Sequence, residues 1–97
     1  MIAILWTYDV REEFIADFVA AYGPAGAWAE LFVEAEGFLG VELLRGEDGR
    51  YLTIDKWASK ADFEAFLAQR RAAYDALDDR TASWTRLEQR IGMFHQV

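Results

Sequence analysis

The 97 residues predict an α+β domain of order βαββαβ, in which one antiparallel sheet of four strands carries its helices on a single face. Three features carry that prediction. Two alternating runs, Gly37 to Arg45 and Arg50 to Trp57, face each other across the four-residue loop Gly46-Glu47-Asp48-Gly49. Stretches of helical periodicity precede and follow this hairpin, and alternating residues both open the chain and close it.

Taken in order, Ile2, Ile4, Trp6, Tyr8 and Val10 alternate with Ala3, Leu5 and Thr7, which makes a first strand ending at about Val10. Phe14, Ile15, Phe18, Val19 and Tyr22 then recur at helical spacing, with Glu12 and Glu13 in the first turn, where the helix dipole favours acids. Gly23-Pro24 breaks that helix. A second helical piece turns Trp28, Leu31, Phe32 and Ala35 inward and stops at Gly37, a C-cap signal. In the hairpin the expected pairs are Leu44 with Tyr51, Glu42 with Thr53, Gly40 with Asp55 and Phe38 with Trp57, all on one face. Leu39, Val41 and Leu43 then lie with Leu52 and Ile54 on the other. Ser59 and Asp62 have the spacing of a capping box and open a helix with Phe63, Phe66, Leu67, Tyr74 and Leu77 inward, ending near Asp79. Residues 80 to 86 read as a connector. Ile91, Met93 and His95 alternate with Gly92 and Phe94 in a last strand.

Such an order is the ferredoxin-like motif, which leaves one sheet face free of helices. On the expected registers that face holds Ile2, Ile4, Trp6, Tyr8, Phe38, Leu44, Tyr51 and Trp57. Burying each is worth about 1.5–3 kcal/mol, so the face is expected to be covered by a second copy of the chain in an isologous homodimer. That pairing stands on Trp6, Phe38 and Trp57 lying away from the chain's own helices.

The chain length makes one module, residues 1–97, with no separate catalytic or DNA-binding unit. A hydrophobic fraction of 54% and 15% aromatic residues are more than a core of this size absorbs, which points to a partner subunit, a ligand cavity, or both. The net charge of −7 repels phosphate backbones and anionic lipid, so neither a nucleic-acid nor a membrane partner is expected. Without cysteine there is no disulfide, thiolate metal site or cysteine nucleophile. The apolar start lacks a basic flank and the length of a signal sequence, and no run reaches membrane-spanning length, so a soluble, cytoplasmic protein is expected.

Tyr22-Gly23-Pro24, Trp28 to Phe32, Gly37 to Arg45, and Tyr51 to Trp57 followed by Ser59 and Phe63 together resemble the antibiotic biosynthesis monooxygenase domains of the dimeric α/β-barrel superfamily, over nearly the whole chain. The Trp-x-Ser junction between hairpin and helix is the best single marker, and it marks fold more than chemistry. The resemblance implies a two-subunit barrel with a small cavity between sheet and helices in each subunit. It also implies activities such as cofactor-free oxidation of electron-rich aromatic substrates by O2, or haem breakdown. The haem-degrading branch carries an Asn on its first strand and a Trp and a His on its last helix; this chain has no Asn, and Phe66 and Ala76 stand near the other two places. Acylphosphatase-like chemistry on this fold also needs an Asn. An RNA-binding sheet needs basic surroundings that the acidic balance denies.

Cofactor-free oxidation needs a base, a dry aromatic slot and donors for a developing oxyanion, with no metal or other cofactor. Thr7, Tyr22, Trp28 and Phe66, together with Tyr74, are the candidate slot residues, although an aromatic stripe at helical spacing is also what a plain core looks like. Tyr74 is a candidate catalytic residue because a buried phenol wants a partner, which a backbone carbonyl would satisfy equally. His95 is the other, being the only side chain whose ordinary pKa of ~6.5 suits proton transfer near neutrality. The alternative for His95 is a frayed, solvated chain end. Glu42 and Asp55 read as diagonal neighbours on the helix-free face, either a coupled acid pair or, with Arg90 beside Gly92 and Phe94, interface ion pairs. Arg70-Arg71 either binds an anionic substrate or solvates a helix. Nucleophile motifs, phosphate loops and metal clusters are missing, so a non-catalytic barrel that binds a small apolar or aromatic molecule stands beside the oxygenase.

Overall fold

The computed structural model describes residues 1–97. Strand β1 (Ile2–Val10) leads through a short 3-10 turn into α1 (Ile15–Tyr22) and α2 (Ala27–Phe32). The hairpin of β2 (Phe38–Arg45) and β3 (Tyr51–Trp57) follows, then α3 (Lys60–Thr81) and β4 (Thr85–His95). The four strands form one antiparallel sheet of order β2-β3-β1-β4, the ferredoxin-like arrangement. No helix is long and apolar enough to cross a membrane.

Local chemistry sets the ends of these elements. Ser59 caps α3, its Oγ accepting from the Asp62 backbone N–H at 3.1 Å, as the capping pattern predicts. Gly23, extended, ends α1 one residue before Pro24. The expected connector over 80 to 86 is not one. α3 continues to Thr81, a single 3-10 turn bridges 82 to 84, and β4 begins at Thr85.

Alternation along β1 and β3 places Ile2, Ile4, Trp6 and Tyr8 beside Trp57, Asp55, Thr53 and Tyr51 on one face. Helices cover that face. Tyr8 meets Phe18 and Tyr22 of the α1 layer at ring-centroid distances of 5.1 Å, and Trp57, with 0% of its surface exposed, is enclosed by Phe32, Phe38, Phe63 and Phe66. This corrects the expected assignment: Ile2, Ile4, Trp6, Tyr8, Phe38, Tyr51 and Trp57 form the chain's own core and not a helix-free face. Burial within one chain avoids the loss of freedom that association costs, so the bulkier of two apolar faces goes under the helices.

The hairpin register also differs. Phe38 pairs with Trp57 as expected, but beyond it Gly40 lies opposite Lys56, Val41 opposite Asp55, Glu42 opposite Ile54, Leu43 opposite Thr53 and Leu44 opposite Leu52. A bulge at Leu39, beside Gly40 with φ 133°, inserts one residue and exchanges the faces of everything after it. The same device recurs in β4, where Ile91 is the extra residue beside Gly92 with φ 153°. Arg90 therefore pairs with Trp6 on the helix side while Gly92 and Phe94 lie on the other. Glu42 and Asp55 fall on opposite faces, and Glu42 pairs with Lys56 at 3.4 Å.

The face that the helices do not cover carries Leu5, Leu52 and Ile54 at its centre, with Leu44, Leu87 and Phe94 on the outer strands at 49%, 48% and 51% exposure. An apolar helix-free face therefore exists, on a set of residues that shares only Leu44 with the expected one.

Candidate active site

Between sheet and helices lies a cavity with two limbs, and the elements converge on it from three sides. β1 and β3 aim Trp6 and Asp55 from the sheet, α2 supplies Phe32, and α3 supplies Tyr74; these four residues line both limbs. The narrower limb, about 30 Å³, runs between Tyr8, Tyr22, Trp28 and Thr53 toward Asp78 and Glu88. The wider one, about 200 Å³, is bounded by Ile4, Phe63, Leu67 and Arg90. In α3, Leu67 precedes and Tyr74 follows an interruption of helical geometry at Arg70, with φ −122° and ψ 26°.

Aromatic rings make the walls. Trp28 meets Tyr74 edge to face at 5.1 Å and Tyr22 at 5.9 Å, while Phe18 stacks on Tyr22 at 4.1 Å. Two of the three phenols are tied into the scaffold. The Tyr8 hydroxyl shares a 3.1 Å hydrogen bond with Thr53 Oγ1, and Tyr22 donates to Thr81 Oγ1 at 3.1 Å, which in turn donates to the Leu77 carbonyl. Tyr74 has no hydrogen-bond partner in the protein. Burial pushes Tyr22 and Tyr74 up to about 12 and raises Tyr8 as well, so all three remain protonated at neutral pH. The indole N–H of Trp28 is buried without a partner.

Asp55 is the unusual group. Half-buried and reached from both limbs, its carboxyl forms no hydrogen bond and no ion pair. Loss of hydration raises it from 3.8 to about 7. A carboxyl poised near neutrality inside an aromatic cavity is suited to take a proton from a bound molecule and to return it. Asp78 and Glu88 are also raised, by partial burial first and then by neighbouring acids. No cluster of three or more His, Asp or Glu side chains is arranged to hold a metal ion.

Of the residues singled out from the sequence, Tyr22, Trp28 and Tyr74 line the cavity together. Phe66 sits behind it, packed on Phe32, Trp57 and Tyr74. Thr7 lies on the helix-free face between Leu52 and Gln89 and does not line the cavity. His95 is exposed at the end of β4 opposite Ile2, outside the lining of either limb. Asp55 carried a usable signal, an acid alternating with Tyr51, Thr53 and Trp57, but that face was expected to be free of helices. Trp6 and Tyr8 were misplaced by the same choice of face. Asp78 and Glu88 gave no signal, because α3 and β4 bring them together only in the folded chain.

A family model described as antibiotic biosynthesis monooxygenase matches residues 1–73. Among solved structures, the chain resembles SnoaB, a cofactor-independent oxygenase from Streptomyces nogalater, at 23% identity and a TM-score of 0.68, over 99% of this chain and 92% of that one. It resembles a Bordetella bronchiseptica protein assigned to antibiotic biosynthesis monooxygenases at 23% identity and a TM-score of 0.76, over 99% and 96%. A conserved protein from Methanosarcina mazei Go1 aligns with a TM-score of 0.77 at 9% identity, over 99% and 92%. At these identities the likeness is one of fold. No curated protein matches the chain significantly.

Proposed function

Since the chain belongs to the antibiotic biosynthesis monooxygenase family, we propose that it is a cofactor-independent monooxygenase that oxidises a small electron-rich aromatic substrate with O2. The observation that carries this reading is Asp55, an unpartnered carboxyl held near neutrality inside an aromatic cavity. The description of SnoaB as a cofactor-independent oxygenase supports it by analogy of fold.

In this reading Asp55 removes a proton from a substrate CH2 activated by a neighbouring phenol or carbonyl. The carbanion passes one electron to O2, and the resulting radical pair combines into a C–O bond. Asp55 returns its proton to the peroxide, and loss of water leaves a carbonyl, so one oxygen atom stays in the product and the other departs as water. Tyr74 donates to the developing oxyanion, and Arg90 offsets its charge from the wider limb. Tyr22 and Phe66 shape the slot, whereas Thr7 and His95 have no part in it.

We further propose that two copies pair through the helix-free face, covering Leu5, Leu44, Leu52, Ile54, Leu87 and Phe94.

The test is oxygen uptake on an anthrone or hydroquinone, with Asp55→Asn as the variant. Removing a general base lowers kcat about 100-fold or more. Unchanged turnover in the variant removes Asp55 and this mechanism with it. Tight binding of the aromatic without oxygen uptake by the native protein selects instead the non-catalytic binding barrel, which uses the same cavity without proton transfer.

A further inference from the structure

We infer that the substrate of this cavity carries its reacting carbon at the end of a single aromatic ring, and that Trp28 is the residue that shuts out a second ring. The inference rests on the proposed reaction, in which Asp55 meets the reacting carbon. Asp55 stands at the neck where the two limbs join, together with Trp6, Phe32 and Tyr74, which also line both. A substrate that reacts at the neck extends into one limb, the other, or both.

The limbs differ too much in size to play the same part. An apolar cavity of about 150 Å³ holds one benzene molecule, so the wider limb, at about 200 Å³, has room for one substituted ring and none for a second beside it. The narrower limb, at about 30 Å³, has room for a water molecule and no ring. A molecule whose reacting carbon lies between two rings, as the CH2 of an anthrone does, has to place one ring in each limb, and only one limb can take it. Leaning out of the wider limb does not help, because the second ring lies on the far side of the reacting carbon.

Trp28 is what keeps the narrower limb small. Its indole is buried, with ring centroids of Tyr74 at 5.1 Å, Tyr22 at 5.9 Å and Phe32 at 6.0 Å, and all three of those rings line the same limb. A side chain packed against three rings gives way to a fourth only by displacing them. Its support is fixed as well. Gly26, pressed on the carbonyls of Ala20 and Ala21, anchors the start of α2 two residues before Trp28. Tyr8 and Tyr22, which line the limb too, are held by their hydrogen bonds to Thr53 and Thr81. The small limb is therefore a rigid stop, and the indole is its largest removable part.

Binding tests the size limit apart from turnover. Isothermal titration of the whole protein at pH 6, where Asp55 carries its proton and can donate it to a ketone, would compare two probes. In 1-indanone the carbonyl has an aromatic ring on one side, and in 9-fluorenone it has one on each side. Burial of apolar surface alone favours the larger ketone. The expected order is the reverse, with 1-indanone bound at least tenfold more tightly. In Trp28→Ala, with its far-ultraviolet dichroism unchanged, 9-fluorenone is expected to gain at least tenfold relative to 1-indanone. Equal or tighter binding of 9-fluorenone by the native protein overturns the inference, as does no binding of 1-indanone at millimolar concentration, or a folded Trp28→Ala that keeps the native preference. If Trp28→Ala does not fold, Trp28→Leu takes its place and the native pair still decides. No oxygen uptake on a hydroquinone, with the preference for 1-indanone intact, would sink the proposed reaction and leave the size limit standing. Uptake on an anthrone would sink the size limit and leave the reaction.

Discussion

Asp55 keeps a carboxyl where water cannot fully hydrate it, and the rest of the molecule must offset that cost. Its folded pKa of about 7 lies above its ordinary 3.8, so the folded state holds the proton more tightly than the unfolded chain does. The associated stability is fully present below about pH 4 and is lost as pH rises through 7. Asp55→Asn is therefore expected to raise stability by on the order of 2–4 kcal/mol at pH 8 and to leave it unchanged at pH 4, measured by urea unfolding at both values. A variant that is equally stable or weaker at pH 8 would show that Asp55 is already paired in solution. The substitution that tests the proposed proton transfer should thus also stabilise the fold, the trade expected of a functional group held in an unfavourable place. Trp57 has a smaller version of this problem. Its indole N–H is buried without a partner, tolerated because the ring packs on Phe32, Phe38, Phe63 and Phe66.

Among the elements, α2 is the most tightly positioned for its length. It has only six residues, too few to be stable alone, yet it delivers Trp28 and Phe32 to the cavity. Gly26, at its N-cap, lets it approach α1 so closely that a Cβ there would run into the carbonyls of Ala20 and Ala21. Gly26→Ala should cost about 1–3 kcal/mol in a thermal or urea melt, by overpacking against backbone that cannot yield. A neutral result would mean that α2 moves away freely. In β2 and β4 the bulges at Leu39 and Ile91 decide which side chains meet the helices. Both sit beside a glycine, and a glycine inside an alternating run is itself a bulge signal. Gly40 and Gly92 thus marked the register change in the sequence. The sequence does not say on which side of the glycine the extra residue falls, or whether pairing resumes beyond it.

At the scale of the whole molecule, the helix-free face is the remaining question of stability. Leu44 and Phe94 lie on its two outer strands and are about half exposed, so changing them leaves the core untouched. Light scattering after size exclusion is expected to give twice the chain mass for the native protein, and the single mass for a Leu44→Glu, Phe94→Glu variant whose far-ultraviolet dichroism is unchanged. A native monomer at micromolar concentration defeats the pairing. The order of elements, the Ser59 cap, the break at Gly23-Pro24, the Phe38–Trp57 pair and the inward stripe of α3 were all legible in the sequence, because each depends on contacts or periods within a few residues. Alternation also grouped Trp6 with Tyr8 and Asp55 with Trp57 correctly. Which face the helices would cover was not legible, since a period of two separates the faces without naming them, and the choice is made by the crossovers and by which face buries more. That Asp55 lines the same cavity as Asp78 and Glu88 was hidden for a related reason. Elements distant in sequence must fold before their side chains share one cavity, so only the tertiary structure decides what lines it.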